Sequence, residues 1–215
     1  MKRNQSGFTL IEIAIVLVII GLLLGGVLKG QELINSAKVK NLANDFKNIP
    51  VYIYGYQDKF KALPGDDSSV VTHVSGVLAT TPAGAQGNGV IDGLWAPVAQ
   101  TDESHLFWQH IRSAGFGPGS TDQTAADYLP TNAVGGRIGI TNAGQTPITN
   151  LRGTYIVCSN AIPGKFAKQL DTTLDNGDTT TGSVMVTTAG VTTATAATVT
   201  TSVVDDTTYL VCMGY

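Results

Sequence analysis

A long apolar run near the N-terminus, from Phe8 to Leu28, constrains this chain more than any other feature. At a helical rise of about 1.5 Å per residue, the run is long enough to cross a hydrocarbon core of about 30 Å. Lys2 and Arg3 precede it, and basic residues at a membrane boundary favour the cytoplasmic side. The sequence therefore predicts a single-pass segment in the inner membrane, with the rest of the chain outside it.

Glu12 is the one charged residue inside this run. An acidic residue at the centre of a membrane helix costs about 2.5–3.5 kcal/mol of insertion free energy, and less near the edge. Glu12 either lies near the lipid headgroups, where it is tolerated, or pairs with a positive charge that is buried beside it after assembly. The second explanation gives the carboxylate a role between molecules.

The run differs from the apolar core of a secretory signal peptide. Such a core has about 7–15 residues and is followed by a cleavage site with small residues. The run from Phe8 is longer, and no site of that kind follows it. We therefore expect cleavage before the run, so that the run remains in the mature protein.

The boundary between the basic leader and the run has the residues Gly7-Phe8-Thr9-Leu10-Ile11-Glu12. These residues resemble the processing site of type IV prepilins and pseudopilins. The resemblance implies that a prepilin peptidase cuts between Gly7 and Phe8, removing residues 1–7, and that Phe8 becomes N-methylated. It also implies that Glu12 pairs with the terminal amine of a neighbouring subunit in a helical filament, which inner-membrane machinery assembles.

Beyond Leu28, apolar residues recur every three or four positions, as on one face of an amphipathic helix. The set comprises Val39, Leu42, Phe46, Ile49, Ile53, Tyr56 and Phe60. Pro50 removes one amide donor, but the spacing continues across it, which predicts a bend and not an end. We therefore predict one helix over residues 8–60, with 8–28 as membrane span or filament core and 29–60 as its amphipathic half.

Residues 61–215 are expected to form a globular head. The stretch 68–93 is rich in Gly, Ala, Thr and Ser, which predicts loops with at most one short strand. A second helix is predicted over 102–114 with Thr101 as its cap. Segments rich in β-branched and aromatic residues predict strands at 137–140, 154–158, 183–188, 197–203 and 208–212. Together with the resemblance, these elements predict an α+β fold, the pilin-like roll, in which the long N-terminal helix packs on an antiparallel β-sheet.

The two cysteines, Cys158 and Cys212, end two segments of similar sequence. If these segments are neighbouring strands, the two thiols can face one another. Two cysteines in an exported protein of this size suggest one disulfide, and two buried free thiols are the alternative. A disulfide that brackets a variable C-terminal loop also resembles many pilins.

One acidic turn is a candidate calcium site. It contains Asp171, Asp175, Asn176 and Asp178 around Gly177. Calcium prefers several oxygen ligands of this kind, although the spacing is not that of an EF-hand loop. A turn that Asp and Asn stabilise through their own backbone is the other interpretation. No other cofactor is expected.

Charge and motif content exclude several classes of function. Residues 61–215 carry twelve acidic and six basic residues, and this balance disfavours nucleic acid, which proteins hold mainly through Lys and Arg contacts to phosphate. The sequence has no H-E-x-x-H, C-x-x-C, G-x-S-x-G or Walker-type motif. We therefore interpret the protein as a structural subunit and not as an enzyme.

The sequence thus predicts a subunit of a type IV pilus or similar extracellular filament, which begins as an inner-membrane precursor. One alternative is a pseudopilin of a type II secretion system, which assembles in the periplasm. Another is a membrane-anchored periplasmic binding domain. The Thr-rich stretch 179–208 is interpreted as plain strands, with O-linked glycosylation as its alternative.

Overall fold

A single long helix opens the chain in the computed structural model, which describes residues 9–215. This helix, α1, spans Leu10–Phe60 and continues through Pro50. By its internal contacts the chain divides into a first part, up to Lys38, and a second part, Val39–Tyr215. The division falls inside α1, at the point where its apolar residues change from surrounding the helix to following one face.

The first part of α1 exposes its apolar side chains. Leu10 is 93% exposed and Leu22 is 73% exposed. By length and composition α1 qualifies as a membrane span, and none of the qualifying stretch is buried within the chain. Because exposed apolar surface costs about 25 cal/mol per Å² in water, this segment needs lipid or other protein to cover it.

The second part of α1 buries one apolar face. Its buried members are Val39, Leu42, Ala43, Phe46, Ile49, Pro50, Ile53 and Tyr56. They match the predicted stripe up to Tyr56, since residues three and four apart lie on the same side of a helix, whereas Phe60 is only partly buried. This face shares one apolar core with a β-sheet, in which Val157 and Val211 are fully buried.

The sheet has four antiparallel strands in the order β1-β2-β4-β3. They span Ile138–Asn142 (β1), Tyr155–Pro163 (β2), Val184–Thr188 (β3) and Thr208–Gly214 (β4). The predicted α+β fold, with a long N-terminal helix packed on an antiparallel sheet, is therefore confirmed.

Three shorter helices complete the fold: α2 (Val70–Val74), α3 (Glu103–Ser113) and α4 (Gly164–Leu174). The helix predicted at 102–114 is confirmed by α3, but its N-cap is Asp102 and not Thr101. The stretch predicted as loops contains α2. The sequence analysis missed α4, because it begins at a glycine after Pro163 and lacks the Ser, Thr, Asp or Asn that usually marks a helix start.

The Thr-rich stretch forms one strand and not two. The strand predicted at 183–188 is β3, but the one predicted at 197–203 is wrong, since that segment is irregular and ends in a single 3-10 turn at Thr200–Ser202. Thr198 N donates to Val186 O at 2.7 Å, and Thr187 Oγ1 donates to Ala196 O at 3.0 Å. The segment therefore runs along the outer edge of β3 and covers backbone groups that would otherwise be open to another chain.

Candidate functional site

The first turn of α1 carries Glu12, whose carboxylate caps the helix that contains it. Glu12 Oε2 accepts hydrogen bonds from Thr9 N and Thr9 Oγ1, both at 2.7 Å. Glu12 N donates in return to Thr9 Oγ1 at 3.3 Å. This reciprocal pair is a capping box, and an acidic group there also favours the positive end of the helix dipole. Local capping therefore explains how the chain itself stabilises a carboxylate at this position.

An apolar surface surrounds this carboxylate. Leu10, Ile11 and Ile13 are 93%, 69% and 47% exposed. Within residues 9–215, the second carboxylate oxygen of Glu12, Oε1, accepts no hydrogen bond. Glu12 is therefore a single carboxylate on an exposed apolar surface. Gly7 and Phe8 lie outside the described residues, and their processing stays a prediction.

Pro50 leaves one backbone carbonyl of α1 without its helical donor, and the hydroxyl of Tyr215 donates to that carbonyl instead. Because Pro50 has no amide proton, the carbonyl four residues earlier, that of Phe46, lacks its helical donor. Tyr215 Oη donates to Phe46 O at 2.6 Å. The Tyr215 ring stacks on Tyr155 of β2 at a centroid distance of 5.5 Å. Tyr215, which directly follows β4, thereby links the sheet to α1 at the carbonyl that Pro50 leaves without a donor.

His110 holds the turn that follows α1. Its Nδ1 accepts from Gly65 N at 2.9 Å, and its Nε2 lies 2.8 Å from Val77 O. Since Nδ1 is an acceptor, the proton lies on Nε2, which donates to the carbonyl. Burial lowers the pKa of His110, so the ring is neutral and fixes the backbone at two points.

A cradle of backbone amides holds Asp66 in the same turn. Its carboxylate accepts from Gly87 N at 2.5 Å, Asn88 N at 3.2 Å and Gly89 N at 2.7 Å. Gly87 and Gly89 have φ of 82° and 83°, a region that glycine adopts without steric cost. Three amides around one carboxylate offset much of the free energy of burying it.

Glu103, at the start of α3, lies close to this cradle and is fully buried. Its Oε2 accepts from Asp92 N at 2.8 Å, and its Oε1 is buried with no hydrogen-bond partner in the described part of the chain. Burial, together with the charges of Asp66 and Asp92, raises the pKa of Glu103 to about 7. The carboxyl group therefore keeps its proton through most of the acidic range.

The predicted calcium turn is held by bonds to its own backbone. Asp171 Oδ1 accepts from Gly177 N at 2.6 Å, Asp175 Oδ2 accepts from Ser183 N at 2.6 Å, and the Asp178 carboxylate accepts from Thr180. The side-chain oxygen of Asn176 accepts from Asp178 N at 2.8 Å, so each of the four side chains accepts a hydrogen bond from a backbone amide. Across residues 9–215, no group of three or more His, Cys, Asp or Glu side chains is placed to hold a metal ion. Calcium binding in this turn stays a prediction.

Cys158 and Cys212 are direct partners in the register of β2 and β4 and form a disulfide. Both are fully buried on the sheet face opposite α1, in a second apolar cluster with Trp95 and Leu210. The indole Nε1 of Trp95 donates to Val191 O at 2.8 Å. The disulfide therefore lies under loops and away from the core that α1 shares.

The roles that the sequence analysis missed include those of Thr9 and Tyr215. Thr9 had a local signal, because a Thr followed by Glu three residues later is the pattern of a capping box. The unpaired carbonyl of Phe46 was also predictable from Pro50, but the group that donates to this carbonyl was not. Tyr215 is 169 positions away along the chain, and no local pattern connects the two.

Comparison with known protein families finds a motif at the N-terminus. The profile described as the prokaryotic N-terminal methylation motif matches residues 2–28. The matched stretch contains Gly7, Phe8 and Glu12, the three residues that the sequence analysis selected. No curated protein and no solved structure matches the chain.

Proposed function

We propose that this chain, which carries the prepilin-type methylation motif of type IV pilins and pseudopilins, is a structural subunit of a type IV pilus or pilus-like filament. The observation that carries the proposal is the contrast within α1. From Val39 the helix completes a core of its own chain, whereas the segment up to Lys38 leaves large apolar side chains exposed. The motif and this apolar helix fit a membrane-anchored precursor.

The motif implies processing by a prepilin peptidase and assembly into a filament. Cleavage between Gly7 and Phe8 would free an amine at the start of the apolar run. After the subunit leaves the membrane, neighbouring copies would cover the apolar surface that lipid covered before. No catalytic role is proposed, since the motif belongs to a family of structural subunits.

Glu12 would then supply the polar contact in an otherwise apolar filament core. Its pairing with the Phe8 amine of another copy would remove two charges that are costly when unpaired in a low dielectric. The capping box supports this role, because Thr9 binds Oε2 and fixes the direction of the carboxylate. A charge held in one direction selects the register of the incoming helix.

The test compares Glu12→Ala with Glu32→Ala, a change of the same residue type on the same helix. Glu32 is exposed and pairs only with Lys29, at 2.6 Å. We expect Glu12→Ala to enter the membrane and to be cleaved, but to lower the yield of sheared filaments by about tenfold or more, the effect of losing a buried charge pair. Glu32→Ala should give the wild-type yield. Immunoblots of sheared and membrane fractions measure both.

Mass spectrometry of the wild-type filament should find a methylated Phe8 as its first residue. A normal filament yield from Glu12→Ala would overturn the role of Glu12. A wild-type chain that never enters a filament would overturn the proposed function itself. Short filaments confined to the periplasm would assign the subunit to a type II secretion system instead of a surface pilus.

A further inference from the structure

Two turns of the protein contain an exposed asparagine that is followed by glycine, Asn88-Gly89 and Asn176-Gly177, and the sequence has no other such pair. This dipeptide is prone to spontaneous deamidation, because glycine has no side chain that hinders its own nitrogen. The glycine nitrogen loses its proton and attacks Cγ of the asparagine, which releases ammonia and leaves a cyclic imide. Water then opens the imide to aspartate or isoaspartate.

The attacking nitrogen of the first pair is bound to a buried carboxylate. Gly89 N donates to Asp66 Oδ2 at 2.7 Å, and Asp66 is 3% exposed. Both ends of the Asn88 amide group are also held. Its Oδ1 accepts from Val90 N at 2.7 Å, and its Nδ2 donates to Asp92 Oδ2 at 3.0 Å. These bonds restrain the rotation that would bring Cγ towards the glycine nitrogen.

The second pair repeats this arrangement in a different segment of the chain. Gly177 N donates to Asp171 Oδ1 at 2.6 Å, and Asp171 is fully buried. The Asn176 amide group is again held at both ends, since its Oδ1 accepts from Asp178 N at 2.8 Å and its Nδ2 donates to Thr181 Oγ1 at 3.1 Å. The same contacts therefore occur at both asparagines.

A third pair, Asp92-Gly93, is the only aspartate in the sequence that precedes a glycine. It can form the same cyclic imide with loss of water, and reopening of the imide again gives isoaspartate. Gly93 N donates to Gln145 Oε1 at 2.7 Å. In all three pairs, the nitrogen that would attack thus donates to the side chain of a residue elsewhere in the chain.

A hydrogen bond of this kind opposes cyclisation in two ways. It must break before the nitrogen can lose its proton, and bonds to charged acceptors are the stronger ones. A carboxylate acceptor also disfavours the negative charge that develops on the nitrogen beside it. Burial raises the pKa of Asp171 to about 6, so this acceptor is charged at neutral pH.

We propose that Asp66, Asp171 and Gln145 protect the three glycine-containing pairs from cyclisation, and so from conversion to isoaspartate. Isoaspartate adds one carbon to the backbone, which would distort the turns that these residues hold. The proposal gives a role to two buried carboxyl groups, those of Asp66 and Asp171. This role is independent of filament assembly through Glu12.

The test incubates the full chain in detergent micelles well above pH 6, where Asp171 is ionised. One sample is folded and the other is unfolded in urea. Mass spectrometry of proteolytic fragments measures the fraction of isoaspartate at each pair. We expect the folded wild type to react at Asn88 and Asn176 at least about tenfold more slowly than the unfolded chain, the effect of one bond to a charged acceptor.

Variants of the two carboxylates separate this protection from a general effect of folding. Asp171→Asn should accelerate deamidation at Asn176 by about tenfold, because a neutral acceptor binds the amide more weakly, and should leave the rate at Asn88 unaltered. Asp66→Asn should accelerate the reaction at Asn88 only. Each variant is the matched control for the other, since a general loss of stability would accelerate both sites.

A third variant extends the test to the remaining pair. Gln145→Ala removes the acceptor of Gly93 N, and we expect isoaspartate to accumulate faster at Asp92 than in the wild type. The rates at Asn88 and Asn176 should stay the same. Circular dichroism confirms which of the three variants are folded.

Three results would overturn the proposal. They are equal rates in the folded and unfolded wild type, the wild-type rate at Asn176 in folded Asp171→Asn, and equal acceleration of both asparagines in a folded variant. The comparison of folded and unfolded wild type needs no substitution, so it decides the question even if a variant does not fold.

Discussion

The two parts of α1 share one backbone but treat their apolar side chains in opposite ways. Up to Lys38 these side chains surround the helix and remain exposed, whereas from Val39 most of them follow one face and are buried, with Val51 and Tyr54 as exposed exceptions. The hydrogen bonds of an α-helix form in either setting. The difference shows that the spacing of the apolar residues along the sequence, and not the helix itself, determines which surface they pack against. An all-round pattern requires partners from outside the chain, and a one-sided pattern finds them within it.

The most direct test of this difference makes the same substitution in both parts of α1 and compares the change in stability. Leu42 is 0% exposed and Leu17 is 64% exposed. Leu42→Ala should lower the free energy of unfolding by about 2–5 kcal/mol, because it leaves a cavity in the core. Leu17→Ala should leave that free energy unchanged to within about 0.5 kcal/mol. Denaturant unfolding of both variants in micelles measures the contrast, and a similar loss for both would refute it.

The dependence of the unfolding free energy on pH tests the second part of the protein, because the buried carboxyl group of Glu103 lies there. Its pKa is about 7 in the folded state against 4.5 ordinarily, so between these values the folded state binds more protons than the unfolded state. The contribution of Glu103 to stability is therefore complete below pH 4.5 and is lost as the pH rises to about 7.

Glu103→Gln should remove this part of the pH dependence. At pH 4 the variant and the wild type should have similar free energies of unfolding. At pH 8 the variant should be more stable by about 3 kcal/mol, the free-energy equivalent of the pKa shift. Asp171 and Asp45, whose pKa values are raised to about 6, contribute to the slope that remains in both proteins. Parallel curves for the two proteins would contradict the assignment to Glu103.

The smallest expected effect concerns the hydroxyl of Tyr215. Tyr215→Phe keeps the ring that stacks on Tyr155 but leaves the Phe46 carbonyl without its donor. We expect a loss of about 1 kcal/mol in the free energy of unfolding, the usual net contribution of one hydrogen bond. Tyr209→Phe offers a control of the same kind, because its hydroxyl accepts from Val204 N at 3.0 Å, away from α1. Faster amide exchange around Phe46 should appear only in Tyr215→Phe.

Local patterns predicted those features that depend on neighbouring residues. The stripe of Val39 to Phe60, the strands that contain Cys158 and Cys212, and the motif around Glu12 all follow from spacing and residue type. The capping of α3 at Asp102 shows the limit of such patterns, because several adjacent residues suit the same position. The strand predicted at 197–203 was wrong, because the preference of threonine for strands reflects its fit to a pleated surface and not a requirement of the backbone. There the hydroxyls and amides bind an edge without forming a strand.

The remaining features depend on residues that are distant in sequence. Glu103 has its raised pKa first because packing buries the carboxyl group, and to a smaller extent because the turn after α1 brings the charge of Asp66 near it. The hydrogen bond from Gly65 N to His110 Nδ1 forms only when α3 packs beside the turn after α1. No spacing rule contains this information, because it arises from the packing of the whole core.

The disulfide between Cys158 and Cys212 also determines how this molecule would respond to a pulling force. Tension carried along the backbone from β2 to β4 can pass through the sulfur bridge and bypass the 54-residue separation between the two cysteines. Without the bridge, that stretch would add an extension of roughly 180 Å if drawn out fully. The helix α4 and the Thr-rich stretch are therefore sheltered from the load. A subunit under tension would stay short even after its sheet began to open.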